Sequence, residues 1–160
     1  MELYLDLPPK KQDFAKTFRT QSIRFIFDPG QSLPAWDPKE LVKAIQGAQI
    51  LISNEYELAL INDKTGLSTQ SLLELTDVII TTKGEEGSAI IDQYKEINIP
   101  AINSPETFID PTGAGDAYRG GLIRGIATGK TLVESAQIGT TAASFAIQVH
   151  GTQEYSFTQE

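Results

Sequence analysis

The sequence predicts an α/β fold built on an open, mostly parallel sheet. Short apolar runs rich in β-branched residues recur along it, at Ile23–Phe27, Ile50–Ser53 and Val78–Thr82. Between them apolar residues return at helical spacing, as Leu41, Val42 and Ile45 do. Strands that alternate with helices in this way have both faces covered, and so read as continuous apolar runs rather than as polar–apolar alternation. The 160 residues are 40% hydrophobic, enough for one core, and residues 1–160 read as a single α/β domain with no linker, repeat or low-complexity segment.

Each element has its own signal. Pro8-Pro9 opens a helix through Lys10, Phe14, Ala15 and Phe18. The Ile23–Phe27 strand stops at the turn signal Asp28-Pro29-Gly30. Gln31 to Asp37 reads as loop around Trp36. Pro38 starts a helix that ends near Gly47. Asn54 follows the second strand and precedes a helix from Glu55 through Leu58, Leu60 and Ile61, which Gly66 ends. Ser68 caps a short helix through Leu72, Leu73 and Leu75. After Val78–Thr82, the glycine-flanked turn Lys83–Gly87 leads to a strand pair, Ser88–Asp92 and Ile97–Ile99. A helix begins at Asp110-Pro111, as N-cap and first helical residue, and a last helix runs from Thr131 through Ile147.

Composition narrows the function. The net charge of −8 argues against a nucleic-acid backbone or an anionic membrane as partner. With no Cys and one His, disulfides are excluded and a zinc site is disfavoured. Met1 to Pro9 has neither the basic start nor the apolar run of a signal peptide, and no apolar stretch is long enough to span a membrane. A cytoplasmic protein is the expectation.

The stretch Asp110-Pro111-Thr112-Gly113-Ala114-Gly115-Asp116-Ala117-Tyr118-Arg119-Gly120-Gly121 carries the most chemistry. Glycines in the first turns of a helix cost about 1 kcal/mol each against Ala. A helix start that brings bare N–H groups against an anion accounts for them, because those groups lack intrahelical partners and sit at the positive end of the helix dipole. The plainer reading is a capped helix with an acidic start. Two further stretches fall at strand ends, where open α/β sheets bind ligands. Asn54-Glu55-Tyr56-Glu57 reads equally as an N-cap with Glu in the first turn. Thr82-Lys83-Gly84-Glu85-Glu86-Gly87 reads equally as a hairpin turn. Gly125 to Thr131 falls one residue short of a P-loop and is read as an inter-helix turn with Gly129 at its C-cap. His150 reads as a helix C-terminal residue.

The Asp110–Gly121 stretch resembles the C-terminal signature of the PfkB/ribokinase family of carbohydrate and nucleoside kinases. Asn54–Glu57 resembles the family's Asn-x-x-Glu motif, Thr82–Gly87 its Thr-x-Gly-x-x-Gly nucleotide loop, and the small-residue helix before Gly151-Thr152-Gln153 its closing element. The resemblance covers nearly the whole chain, in order. It implies a ribokinase-like three-layer α/β/α fold and ATP-dependent phosphoryl transfer to a hydroxymethyl group of a sugar or nucleoside, adenosine being one candidate. Asp116 is then the catalytic base, and Gly113, Ala114 and Gly115 form the anion hole. Asn54 and Glu57 serve the Mg²⁺ and phosphate network. Thr82, Gly84 and Gly87 line the nucleotide, and Thr140 lies towards the adenine. Asp110 and Thr112 match positions that bind a monovalent cation, K⁺, in some members. Family members are about twice as long, and their N-terminal half carries the acceptor pocket and a β-sheet lid that this chain does not display. The expectation is a C-terminal half that self-associates or pairs with a separate N-terminal half. The alternative is a non-catalytic nucleotide-binding module, or an inactive remnant that acts through association.

Overall fold

The apolar runs pair in chain order. The structure, a computed structural model, describes residues 3–6, 12–102 and 108–151. The six strands are β1 Leu3–Asp6, β2 Phe25–Asp28, β3 Ile50–Asn54, β4 Val78–Thr82, β5 Ser88–Ile91 and β6 Glu96–Ile99, and they form one sheet in that order. β1 to β4 are parallel, with Phe27 beside Leu51 and Leu51 beside Ile79. The loops 83–87 and 92–95 are too short to cross over, so the strands they join run antiparallel. In the second of these turns the Asp92 carboxylate accepts the N–H groups of Tyr94 and Lys95, at 2.7 and 2.9 Å. β1 was not anticipated. Its four residues offer too short a pattern beside the paired prolines, and it joins the sheet through β2.

The helices are α1 Gln12–Thr20, α2 Pro38–Ile45, α3 Glu55–Thr65, α4 Thr69–Leu72, α5 Ala114–Ala127 and α6 Leu132–Ala146. Pro8, Pro9 and Lys10, expected to open α1, lie outside the described residues, as do Thr152 and Gln153. The stretch read as loop after Gly30 is a 3-10 helix, Gly30–Ala35. It carries Trp36 edge-on against Phe27, with ring centroids 5.7 Å apart, and the indole N–H donates to Ser32 Oγ. An aromatic ring with its polar tip paired can be buried without penalty, which is what ties this segment down.

The chain divides into two compact units, one of Met1–Lys83 and Ala89–Ile97, the other of Gly84–Ser88 and Asn98–Glu160. In the first, Phe25, Phe27, Leu51 and Ile79 supply one sheet face, and Ala15, Phe18, Leu41, Ile45 and Ile61 from the helices close over it. Ile26, Ile50, Ile52 and Ile80, which alternate with them, are buried too. In the second unit, α5 and α6 pack on each other through small residues. A Cβ added at Gly139 would stand 2.7 Å from the Tyr118 carbonyl oxygen, and one at Gly125 would stand 2.6 Å from Ser135 Cα. α5 ends at Ala127 with Thr128, not Gly129, as its C-cap, and Gly129 follows at φ +76°, so the P-loop-like stretch is the expected helix connection with its cap one residue earlier.

Candidate nucleotide and catalytic site

In the first unit the site residues sit where parallel strands end. Asn54 and Thr82 are register partners at the carboxyl ends of β3 and β4. Asn54 also caps α3. Its Oδ1 accepts the Glu57 N–H at 2.7 Å, and its own N–H donates to Glu57 Oε2 at 2.9 Å. The Asn-x-x-Glu spacing is therefore a complete capping box, which satisfies two groups that the helix start leaves over. The plain reading of these residues is correct as geometry, and it also fixes where both side chains stand.

The second unit holds the rest. Gly84 opens a 3-10 turn, Gly84–Glu86, closed by the Gly87 N–H donating to the Gly84 carbonyl at 3.1 Å. Gly87 must be glycine twice over: its φ is +97°, and a Cβ there would strike the Ile99 carbonyl. Next to it, Ser88 Oγ accepts the buried Tyr118 hydroxyl of α5 at 2.9 Å, which fixes the end of this loop to α5. Burial pushes the Tyr118 pKa up, so the phenol stays protonated and can donate.

The Asp110 stretch does not begin the helix as expected. α5 starts at Ala114 and its N-cap is Gly113, at φ +84° and with no side-chain cap. Asp110 instead turns the chain ahead of the helix. Its Oδ1 accepts the Thr112 N–H at 2.9 Å and its Oδ2 accepts the Gly151 N–H at 3.2 Å. The Ile109 and Asp110 N–H groups both donate to the Ile147 carbonyl, so this loop is tied to the end of α6. Thr112 and Gly151 hold the Asp110 carboxyl below the usual aspartate range. α6 ends at Ala146, so His150 lies past the helix terminus rather than in its last turn. It stands close enough to Asp110 to add a small favourable field.

At the mouth of α5 the Ala114 N–H donates to the Pro111 carbonyl at 3.2 Å and the Ala117 N–H to Gly113 at 2.9 Å. Among the described residues nothing accepts the N–H groups of Gly115 and Asp116. Two open donors thus lie at the positive end of a 14-residue helix, an arrangement suited to an anion. The Asp116 side chain, 85% exposed, stands beside them, and its Oδ1 is 3.5 Å from Arg119 Nη1. Arg119 is marked in the sequence only by its spacing of three from Asp116 on a helix. Thr140, on α6, is buried, and its hydroxyl donates to the Ala136 carbonyl at 3.1 Å.

Among the described residues no three His, Cys, Asp or Glu side chains cluster as a metal cage, and no helix is long and apolar enough to cross a membrane. Residues 7–159 match the pfkB family of carbohydrate kinases. A nucleoside kinase of Methanocaldococcus jannaschii is 37% identical over 127 residues, covering 79% of this chain and 42% of that protein. The solved structure of Burkholderia thailandensis nucleoside kinase in complex with ADP-inosine superposes with a TM-score of 0.89 at 34% identity, over 98% of this chain and 49% of that one. Thermotoga maritima ribokinase superposes with a TM-score of 0.78 at 25% identity, over 95% of this chain and 51% of that one. The chain spans about half the length of the relatives it matches. With the ordered motifs and the strand-end geometry, these likenesses place it: the chain belongs to the pfkB family of carbohydrate kinases and has the ribokinase-like α/β fold.

Proposed function

We propose that this chain is the nucleotide-binding and catalytic portion of an ATP-dependent kinase that phosphorylates a hydroxymethyl group, on a nucleoside in preference to a sugar. The observation that carries the reading is the mouth of α5, with open N–H groups on Gly115 and Asp116 beside an exposed carboxylate. The nucleoside preference rests on the names of the relatives. Adenosine and inosine are the first acceptors to try.

In this reading the α5 terminus receives the γ-phosphoryl group, where fixed dipoles neutralise charge without reorganising. Asp116 takes the proton of the attacking hydroxyl as its oxygen bonds to phosphorus and the bond to the ADP leaving oxygen breaks. The chain has to position and neutralise rather than supply covalent chemistry. Thr82 and the Gly84–Gly87 turn line the nucleotide, and Thr140 lies on its adenine side. Mg²⁺ characteristically takes one or two protein carboxylates and completes its shell with phosphates and water. Asn54, at the carboxyl end of β3, and Glu57, in the first turn of α3, are the proposed donors. Asp110 and Thr112, which meet in the turn before α5, are the proposed donors for a K⁺ ion. The acceptor pocket and lid are supplied by a further N-terminal segment, in the same cell compartment as the ATP, the cytoplasm.

The second reading is a nucleotide-binding module without turnover. The capping box favours it to a degree, because Asn54 and Glu57 have a complete structural use already.

Calorimetry with MgATP tests the binding step. Wild type should bind, and Gly115→Val should lose binding, because a branched side chain at the start of α5 would crowd the anion site and strike Arg119 Nη1. Equal affinity in both proteins would remove the anion site from the account.

A further inference from the structure

Asp116 and Arg119 share one face of α5, but they are an unequal pair. The Asp116 side chain is 85% exposed, whereas that of Arg119 is only 19% exposed, with Nη1 and Oδ1 3.5 Å apart. An ordinary surface ion pair leaves both partners in water. Here the cation is packed into the protein and the carboxylate projects from it.

Gly115 locates the guanidinium. A Cβ placed on Gly115 would come within 2.8 Å of Arg119 Nη1 and 3.9 Å of Arg119 Cζ, the nearest described atoms outside the helix backbone and the flanking residues. Gly115 lies inside α5 and is not among the positive-φ glycines. Its backbone conformation does not call for glycine. The space its side chain would fill is taken by the arginine.

We infer that Arg119 is the positioning residue for Asp116. Its guanidinium lies over the backbone of Gly115 and holds the Asp116 carboxylate in one rotamer at the open end of α5. A planar, many-donor group on a packed stem suits this task, and a lysine ammonium, a rotatable point charge, does not match it. The second glycine of the Gly-Ala-Gly run then has a role besides phosphate approach: it leaves room for the arginine that aims the carboxylate. The catalytic consequence rests on Asp116 being the proton acceptor proposed above; the geometric claim does not.

The test uses the 160-residue chain in solution, labelled with ¹³C and ¹⁵N. Three-bond couplings from Asp116 Cγ to its backbone nitrogen and carbonyl carbon report the side-chain rotamer. Wild type should populate a single rotamer. Arg119→Gln should average the couplings over several rotamers, and Gly115→Ala should do the same by displacing the guanidinium. The double variant should look like Arg119→Gln alone, because both changes break one contact. Arg119→Lys should fall between. Amide spectra away from α5 serve as the folding control. Unchanged couplings in Arg119→Gln would overturn the inference, as would a wild type already averaged. With the N-terminal segment supplied for turnover, Arg119→Gln should lower kcat by about 10- to 100-fold with little change in KM for ATP, the usual scale for a misaimed group. If wild type makes no phosphorylated product while the variant couplings collapse, the kinase reading fails and the positioning role stands. If product forms and neither couplings nor kcat respond to Arg119→Gln, the positioning role fails and the kinase reading stands.

Discussion

Asp110 accepts an N–H on each carboxylate oxygen, one from Thr112 and one from Gly151, and so joins the loop before α5 to the end of α6. Hydrogen bonds from Thr112, first from its side chain and then from its backbone, and after them from Gly151, lower its pKa. The folded state therefore favours the ionised form. That contribution is present in full above the unfolded aspartate value and is lost as pH falls through the lowered folded one. The expectation is a ¹³C carboxyl titration of Asp110 with its midpoint below that of aspartate in an unfolded peptide. Gly151 and Thr112 amide shifts should move with it. A midpoint at the unfolded value would contradict these contacts. The placement of Gly113 and Asp116 at a helix start was legible in the sequence, because an acid in the first turn of an apolar-periodic run is a local signal. Asn54 and Glu57 were legible as a cap, because N-cap and N3 chemistry is local. Arg119 was not, because the sequence gives its spacing from Asp116 but not the burial that separates a held guanidinium from a surface one.

α5 and α6 turn on glycines that serve different ends. Gly139 faces the Tyr118 carbonyl, 2.7 Å from where a Cβ would stand, and backbone cannot yield as a flexible side chain can. Gly120, on the same α5, has nothing within 4 Å of its added Cβ. Gly139→Ala should cost about 1–3 kcal/mol by overpacking. Gly120→Ala should be neutral or stabilise by about 0.4–1 kcal/mol, through the unfolded state. Urea unfolding of the two variants checks both, and equal effects would contradict the close helix approach. The start of α5 was misplaced for a physical reason. Asp110-Pro111 has the chemistry of a helix start, but the Asp110 carboxylate bonds to Thr112 and Gly151 ahead of the helix. The chain then enters α5 through a left-handed glycine, Gly113. β1 escaped notice because an edge strand of four residues carries almost no periodic signal.

For the whole molecule the alternation of apolar strands and amphipathic helices was enough to predict an α/β fold, since burial on both strand faces leaves that mark in the residues themselves. What composition and spacing did not reveal is that the contacts fall into two compact units, with the Thr82–Gly87 stretch divided between them. Sheet pairing is a long-range choice, and local propensity does not encode it. Among the described residues β1 is an outer strand of the sheet, and an outer strand offers an edge to which a further strand can pair. This supports the proposal that a separate segment completes the enzyme.

In the proposed reaction Asp116 takes the hydroxyl proton during phosphoryl transfer from ATP. General-base assistance is worth about 10²–10⁴-fold. Asp116→Asn keeps the shape of the side chain and removes its basicity. The direct measurement is the rate of ADP and phosphorylated nucleoside formation when the N-terminal segment is supplied, in trans or fused, for wild type and for Asp116→Asn. The variant should fold, bind MgATP like wild type and lose turnover by about 10²-fold or more. Turnover by Asp116→Asn at the wild-type rate would contradict it.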